Sequence, residues 1–185
     1  MVSAGTKLTL EAFLALPAGD VTYELVDGQA VPKVSPQETH SILTFTLTTL
    51  LSRWAKFHGR VRLEWALALK RRGEDWAPVP DVTYISYERL PASVRRTRAC
   101  PVPPELVLEI LSPGQTIQEF ENKAQDYFAA GVLRMWLVEP DALFLQVFFP
   151  DRPSQIYTGD IPITDPLFPG LSLSIKEIFE EAELL

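Results

Sequence analysis

The run Glu105-Leu-Val-Leu-Glu-Ile-Leu111 constrains this chain more than any other. It is short and almost wholly apolar, the signature of a strand buried on both faces. Thr116-Ile-Gln-Glu119 follows as a capping box, in which the threonine and glutamate side chains satisfy each other's backbone N–H groups. Gly131 supplies a C-terminal stop, so a helix is predicted over about 117–130. Leu133-Arg-Met-Trp-Leu-Val138 is the next strand. Strand, helix and strand in that order make a βαβ unit, which needs a sheet with helices packed on it.

The remaining segments supply the other layers. Leu10, Phe13 and Leu14 keep helical spacing behind Thr9, a candidate N-cap, and Pro17-Ala-Gly19 ends that helix. Val21 to Val26 and Gln29 to Val34 flank Asp27-Gly28, whose tolerance of positive φ marks a tight β-hairpin. Ser35-Pro36-Gln37-Glu38 reads as a capping box with proline at the first helical position, opening the longest helix. Leu43, Leu47, Leu50, Leu51 and Trp54 belong to its broad apolar face, which runs for roughly six turns to a stop near Gly59. Val61 to Arg72 alternates as one long strand, turned by Gly73-Glu-Asp75 toward Asp81-Val-Thr-Tyr-Ile85. Residues 91–104, rich in proline and arginine, read as a loop. After the βαβ unit come a strand over Leu143 to Phe149, a short one near Gln155-Ile-Tyr157, and a helix capped by Ser174-Ile-Lys-Glu177. The fold class expected is mixed α+β, a mixed sheet flanked by helices.

Composition narrows the function classes. A length of 185 residues with 46% apolar and 22% charged residues fits one globular domain over 1–185. Polar residues break the longest apolar runs well before bilayer length, so no membrane span is expected. Met1 to Lys7 lacks the basic and apolar regions of a signal peptide, and the reducing cytoplasm is the expected location. The one cysteine, Cys100, excludes an internal disulfide framework and a cysteine-based zinc site. A net charge of −7 argues against a broad nucleic-acid surface, although Lys70-Arg-Arg72 and Arg95-Arg-Thr-Arg98 are local clusters of positive charge.

Glu109 is the residue that needs explaining. It shares a strand face with Val107 and Leu111, where an ionised carboxylate is costly to bury without a partner. A structural ion pair with an arginine is the ordinary explanation, and a bound cation the functional one. Asp81 follows Pro80 at the start of a strand, a place where aspartate is often only a turn residue. Lys123 lies at the edge of the helix face formed by Ile117, Phe120, Ala124, Tyr127 and Phe128, about 40° beyond Tyr127. A lysine there is most often a surface residue with a buried stem. The helix nevertheless follows the Glu109 strand directly, so an amine in its first turns can meet the carboxylates.

Two carboxylates without histidine or cysteine form a hard, oxygen-only site suited to Mg²⁺ or Mn²⁺. A lysine beside it can orient a metal-bound water and stabilise negative charge on a phosphate. Metal-assisted phosphodiester hydrolysis is the reaction such parts serve. Glu24, on the first hairpin strand, is a candidate third carboxylate or a solvated strand residue. His40 reads first as a helix-surface histidine and second as a pocket residue, and with His58 on the same helix it builds no Ser-His-Asp triad. No Gly-rich phosphate loop is present.

These motifs together resemble the Uma2 family, also called DUF820, of bacterial PD-(D/E)XK nuclease-like proteins. The likeness runs through Leu8-Thr-Leu-Glu-Ala-Phe13, Tyr23-Glu-Leu-Val-Asp-Gly28, Pro80-Asp81, Glu105 to Pro113, Lys123 with Tyr127, Trp136-Leu-Val-Glu-Pro140, and Pro166-Leu-Phe-Pro-Gly-Leu-Ser-Leu173. It implies a restriction-endonuclease-like core preceded by a helix and a hairpin, with Asp81 as the motif aspartate and Glu109 as the second acid. The usual nuclease lysine two positions after that acid is absent, since Leu111 stands there. The resemblance implies that the lysine has moved to the following helix, as Lys123. By the same analogy the backbone carbonyl of Ile110 completes the metal shell, and Glu24 matches a family glutamate.

The expectation is therefore a cytoplasmic, Mg²⁺- or Mn²⁺-dependent endonuclease acting on DNA, with a homodimer suited to cutting both strands. Asp81, Glu109 and Ile110 would bind metal, and Lys123 would assist attack on phosphate. Lys70 to Arg72 and Arg95 to Arg98 are candidate phosphate contacts. A catalytically silent nuclease fold that binds nucleic acid or protein is one alternative, and a hydrolase of RNA or small phosphoesters another.

Overall fold

Leu106, Val107, Leu108, Glu109 and Ile110 are all buried, because their strand lies inside a six-stranded sheet covered on both faces. The computed structural model describes residues 7–17, 19–95 and 97–185. In chain order the elements are α1 (Leu10–Leu14), β1 (Tyr23–Val26), β2 (Gln29–Pro32), α2 (Glu38–Ala55), β3 (Gly59–Leu63), β4 (Leu69–Arg71), β5 (Glu74–Trp76), β6 (Val82–Ser86), β7 (Leu106–Ile110), α3 (Ile117–Ala129), β8 (Arg134–Glu139), β9 (Phe144–Phe148), β10 (Gln155–Thr158) and α4 (Ile175–Glu181). The main sheet runs β10-β9-β8-β7-β6-β3. Its β7–β8 pair is parallel and the other four pairs are antiparallel. The fold is thus the mixed α+β sheet expected, with the βαβ unit at its centre.

Side-chain alternation divides each central strand between two layers. Val82, Tyr84, Leu106, Leu108 and Trp136 face α2 and α4, meeting Leu43, Leu47, Leu51, Ile178 and Phe179. Val107, Met135 and Leu137 face the other way, toward Phe120, Ala124 and Tyr127 of α3 and toward Leu69 and Trp76 of the β4–β5 hairpin. The capping boxes at Thr116–Glu119 and Ser174–Glu177 form as predicted. So does the Asp27-Gly28 turn, with φ of 52° and 80°. Among the described residues no helix is long and apolar enough to cross a membrane.

Two local expectations need correction. The start of α2 is not a Ser35–Glu38 capping box: Gln37 is the N-cap and its side chain makes no capping bond. The chain leaving β2 is tied down at Lys33, whose ammonium holds the Val79 carbonyl and Asp81, and it stays non-helical through Gln37. The helix has 18 residues, five turns rather than six. Val61 to Arg72 is also not one strand. Glu64 turns at φ 41°, and the chain leaves the main sheet so that β4 can pair with β5 across Arg72 and Gly73. The apolar alternation continues through the break because Val61 and Leu69 are each buried, in different layers.

Candidate active site

The β6–β7 register pairs Val82 with Leu108 and Thr83 with Val107, so one further step sets Asp81 opposite Glu109. Alternation from Val107 turns both carboxylates to the α3 side of the sheet. Each residue is only 3% exposed. Beyond Val82 the ladder stops, and the Asp81 side chain takes over the task of a strand partner. Its Oδ2 accepts the Ile110 N–H at 2.8 Å. A strand residue aims its N–H and C=O at the same neighbour, so the Ile110 carbonyl opens toward Asp81 as well.

Two cationic or polar groups close on Asp81. The Lys33 ammonium donates to Oδ1 at 2.8 Å and to the Val79 carbonyl at 2.8 Å. His40 Nε2 stands 3.1 Å from Oδ2, and its Nδ1 lies 3.3 Å from Thr44 Oγ1. Burial pushes the Asp81 carboxyl up, but the His40 hydrogen bond and the Lys33 charge outweigh it and hold the group at about 2, below its ordinary 3.8.

Glu109 is held differently. Its Oε1 accepts the Tyr127 hydroxyl at 2.9 Å and lies 2.9 Å from Lys123 Nζ. Both of these contacts fall on Oε1. Burial pushes this carboxyl above its ordinary value, with Lys123 pulling the other way and Asp81 adding to the rise. Burial works against the Lys123 charge, but Glu109 and Glu24 prevail and raise its pKa above the ordinary 10.5. Burial, then the Glu109 charge, raises Tyr127 well above 10, so its hydroxyl stays a donor.

Glu24 joins the two halves of this network. Its Oε1 accepts from Lys123 at 3.1 Å and from the Val79 N–H at 2.8 Å. Glu24 on β1 and Lys33 just after β2 therefore hold the two peptide groups that flank the Val79 Cα, N–H by Glu24 and C=O by Lys33, and so fix the Pro80-Asp81 approach to β6. Backbone bonds between Leu25 and Ala77 at 3.0 Å dock the hairpin there.

Asp81, Glu109, Lys123, Glu24 and Ile110, drawn from the sequence, thus converge. Lys33 and the Tyr127 contact to Glu109 were not anticipated, and His40 takes its second reading, a pocket role, rather than the helix surface. A sequence signal existed for two of them. His40 precedes the buried Leu43, Leu47 and Leu51 at helical spacing, and Tyr127 stands one turn from Lys123. Nothing in the pattern marks Lys33. Of the basic clusters, Lys70 pairs with Asp75, while Arg71 pairs with Asp27 and Asp126. Arg98 reaches the Leu14 carbonyl, and Arg96 lies outside the described residues.

The donors suit a hard divalent cation: two carboxylates and one carbonyl, all oxygen. Among the described residues no group of three or more His, Cys, Asp or Glu side chains is arranged to hold a metal.

Comparison with known proteins gives two findings. The Uma2 family model, described as a putative restriction endonuclease, matches residues 10–176. The crystal structure of a putative nuclease belonging to DUF820 from Anabaena variabilis is similar over 95% of this chain and 99% of that one, with a TM-score of 0.82 and 25% sequence identity. No curated protein sequence matches significantly.

Proposed function

The chain belongs to the Uma2 family, whose description is that of a restriction-endonuclease-like nuclease, and from that premise we propose that it is a Mg²⁺- or Mn²⁺-dependent endonuclease hydrolysing DNA phosphodiester bonds. Nucleases of this kind generally use divalent metals. One observation carries the reading: two buried carboxylates, Asp81 and Glu109, oppose each other at a strand end with Lys123 Nζ 2.9 Å from Glu109.

Asp81, Glu109 and the Ile110 carbonyl would hold the cation, which when bound supplies Lewis-acid polarisation of a phosphate and a more acidic water. Lys123 brings a fixed positive charge to the place where a phosphate gains negative charge during attack. Glu24 positions that ammonium from the far side. The Tyr127 hydroxyl orients Glu109 through Oε1, leaving Oε2 for a ligand. Lys33 and His40 keep Asp81 ionised and oriented. The reading takes residues 1–185 as one domain, acting in the cytoplasm as a homodimer whose symmetry suits two-strand cleavage.

Calorimetric titration of Mn²⁺ into wild type and Glu109→Ala, beside plasmid nicking by the same samples, tests it. The expected result is loss of both binding and nicking in the variant. Nicking that survives the substitution overturns the assignment, and metal binding without cleavage of any DNA moves the silent binding module forward.

A further inference from the structure

β3 is an outer strand of the sheet, and Arg60 and Arg62 on it share the face of Asp81 and Glu109. Arg60 pairs with Ile85 and Arg62 with Thr83, while the intervening Val61 packs in the core under α2. Beside these arginines lies a cavity of about 420 Å³ lined by Arg60, Arg62, Trp65, Tyr87, Arg95 and Thr97, within the size range of small-ligand pockets. Among the described residues no carboxylate lines it, although the chain carries a net charge of −7.

The three arginines differ in what they hold. Arg60 donates to the carbonyls of Leu90, Pro91 and Val94 and lies 5.4 Å over the Tyr87 ring, so it builds the wall. Arg62 and Arg95 are exposed and reach one carbonyl each, Val61 at 2.7 Å and Ala92 at 3.1 Å. Among the described residues neither pairs with a carboxylate, which leaves most guanidinium donors open to solvent or a ligand. Two open guanidinium groups beside a half-buried indole match a nucleotide, with phosphate for the arginines and a base face for Trp65.

The distance to the acid pair is short. Glu64 continues the β3 register opposite Asp81, its N–H donating to the Asp81 carbonyl at 3.2 Å. Arg62 stands two strand positions away, roughly 7 Å.

We propose that this cavity binds one unpaired nucleotide of a DNA strand, its base against Trp65 and its flanking phosphates on Arg62 and Arg95, beside the Asp81–Glu109 pair. That the bound strand is a substrate rests on the nuclease reading; the binding itself does not.

The test is fluorescence anisotropy with a labelled octathymidylate in EDTA, across a salt series, on wild type, Trp65→Ala, Trp65→Phe and the double variant Arg62→Ala/Arg95→Ala. Trp65→Ala should weaken binding about tenfold, with Trp65→Phe restoring most of it. The double variant should flatten the slope of log affinity against log salt by about 1.4, for two phosphate contacts on a single strand. An abasic oligomer of equal length should bind wild type about as weakly as the thymidylate binds Trp65→Ala. Equal affinity for the abasic strand, or no effect of Trp65→Ala, overturns the proposal even if the salt slope changes. Plasmid nicking by the same proteins, with Mg²⁺ or Mn²⁺ in place of EDTA, separates the two readings. Trp65-dependent binding without nicking sinks only the nuclease, and nicking with Trp65-independent binding sinks only the pocket.

Discussion

Asp81 and Glu109 stand opposite each other one step past the last β6–β7 pair, and their surroundings drive their acidities apart. Asp81 lies where the hairpin and α2 can reach it, and Lys33 and His40 lower its pKa. Glu109 lies under α3, where burial dominates and its two contacts share one oxygen. Neighbouring acids with divergent pKa values in one pocket are a recurrent feature of functional sites.

Asp81 links folding to pH. Its pKa of about 2 lies below the ordinary 3.8, so its stabilising contribution is complete above pH 3.8 and is lost as pH falls through 2. Glu109, shifted upward, is largely protonated in both states over that window and adds little slope there. Urea unfolding in EDTA at pH 5 and pH 2 should show wild type losing about 2 kcal/mol more than Asp81→Asn. Equal losses would assign the acid sensitivity to other groups.

Lys123→Met removes the cation between Glu109 and Glu24. Stability should fall by about 3–5 kcal/mol, the usual result of leaving a buried charge unpaired. Adding Glu109→Gln should recover much of that loss, giving a clear coupling in a double-mutant cycle. Additive effects would mean that the 2.9 Å contact contributes no coupling. Plasmid nicking by Lys123→Met should drop on the order of a hundredfold.

Tyr127→Phe keeps the ring packed on Trp76, 4.9 Å away between centroids, and deletes only the hydroxyl that orients Glu109. A hydrogen bond to a charged group contributes about 1.5–3 kcal/mol, and denaturant midpoints should fall accordingly. Mn²⁺ affinity measured by calorimetry should fall with it, since the carboxylate loses its fixed orientation.

Lys33→Met leaves the Val79 carbonyl and Asp81 Oδ1 without their shared donor. The expected cost is about 1–3 kcal/mol, together with a smaller stability difference between pH 5 and pH 2 than in wild type. An unchanged acid slope would show that the groups on Oδ2, His40 and the Ile110 N–H, set the Asp81 shift without Lys33.

Much of the scaffold was legible because it rests on local chemistry. Thr116 with Glu119, Ser174 with Glu177, and Asp27-Gly28 each satisfy backbone groups within a few residues, so their sequence is their structure. Alternation reported which residues of β7 share a face, and with it the anomaly of Glu109. The break at Glu64 was hidden, because the apolar period continues through it while the strand changes sheets. The α2 start was misread because a long-range tie, Lys33 to Val79 and Asp81, overrides a local cap.

The sequence alone determined the βαβ unit, the buried acid within it and the lysine one helix later, since covalent proximity and side-chain period carry that information. Tertiary structure decided which charges meet. Glu24 and Lys123 are 99 positions apart, and Lys33 and Asp81 are 48 apart. Contacts at such separations follow from how the hairpin docks on the sheet, and residue type and spacing do not encode that docking in any single window of the chain.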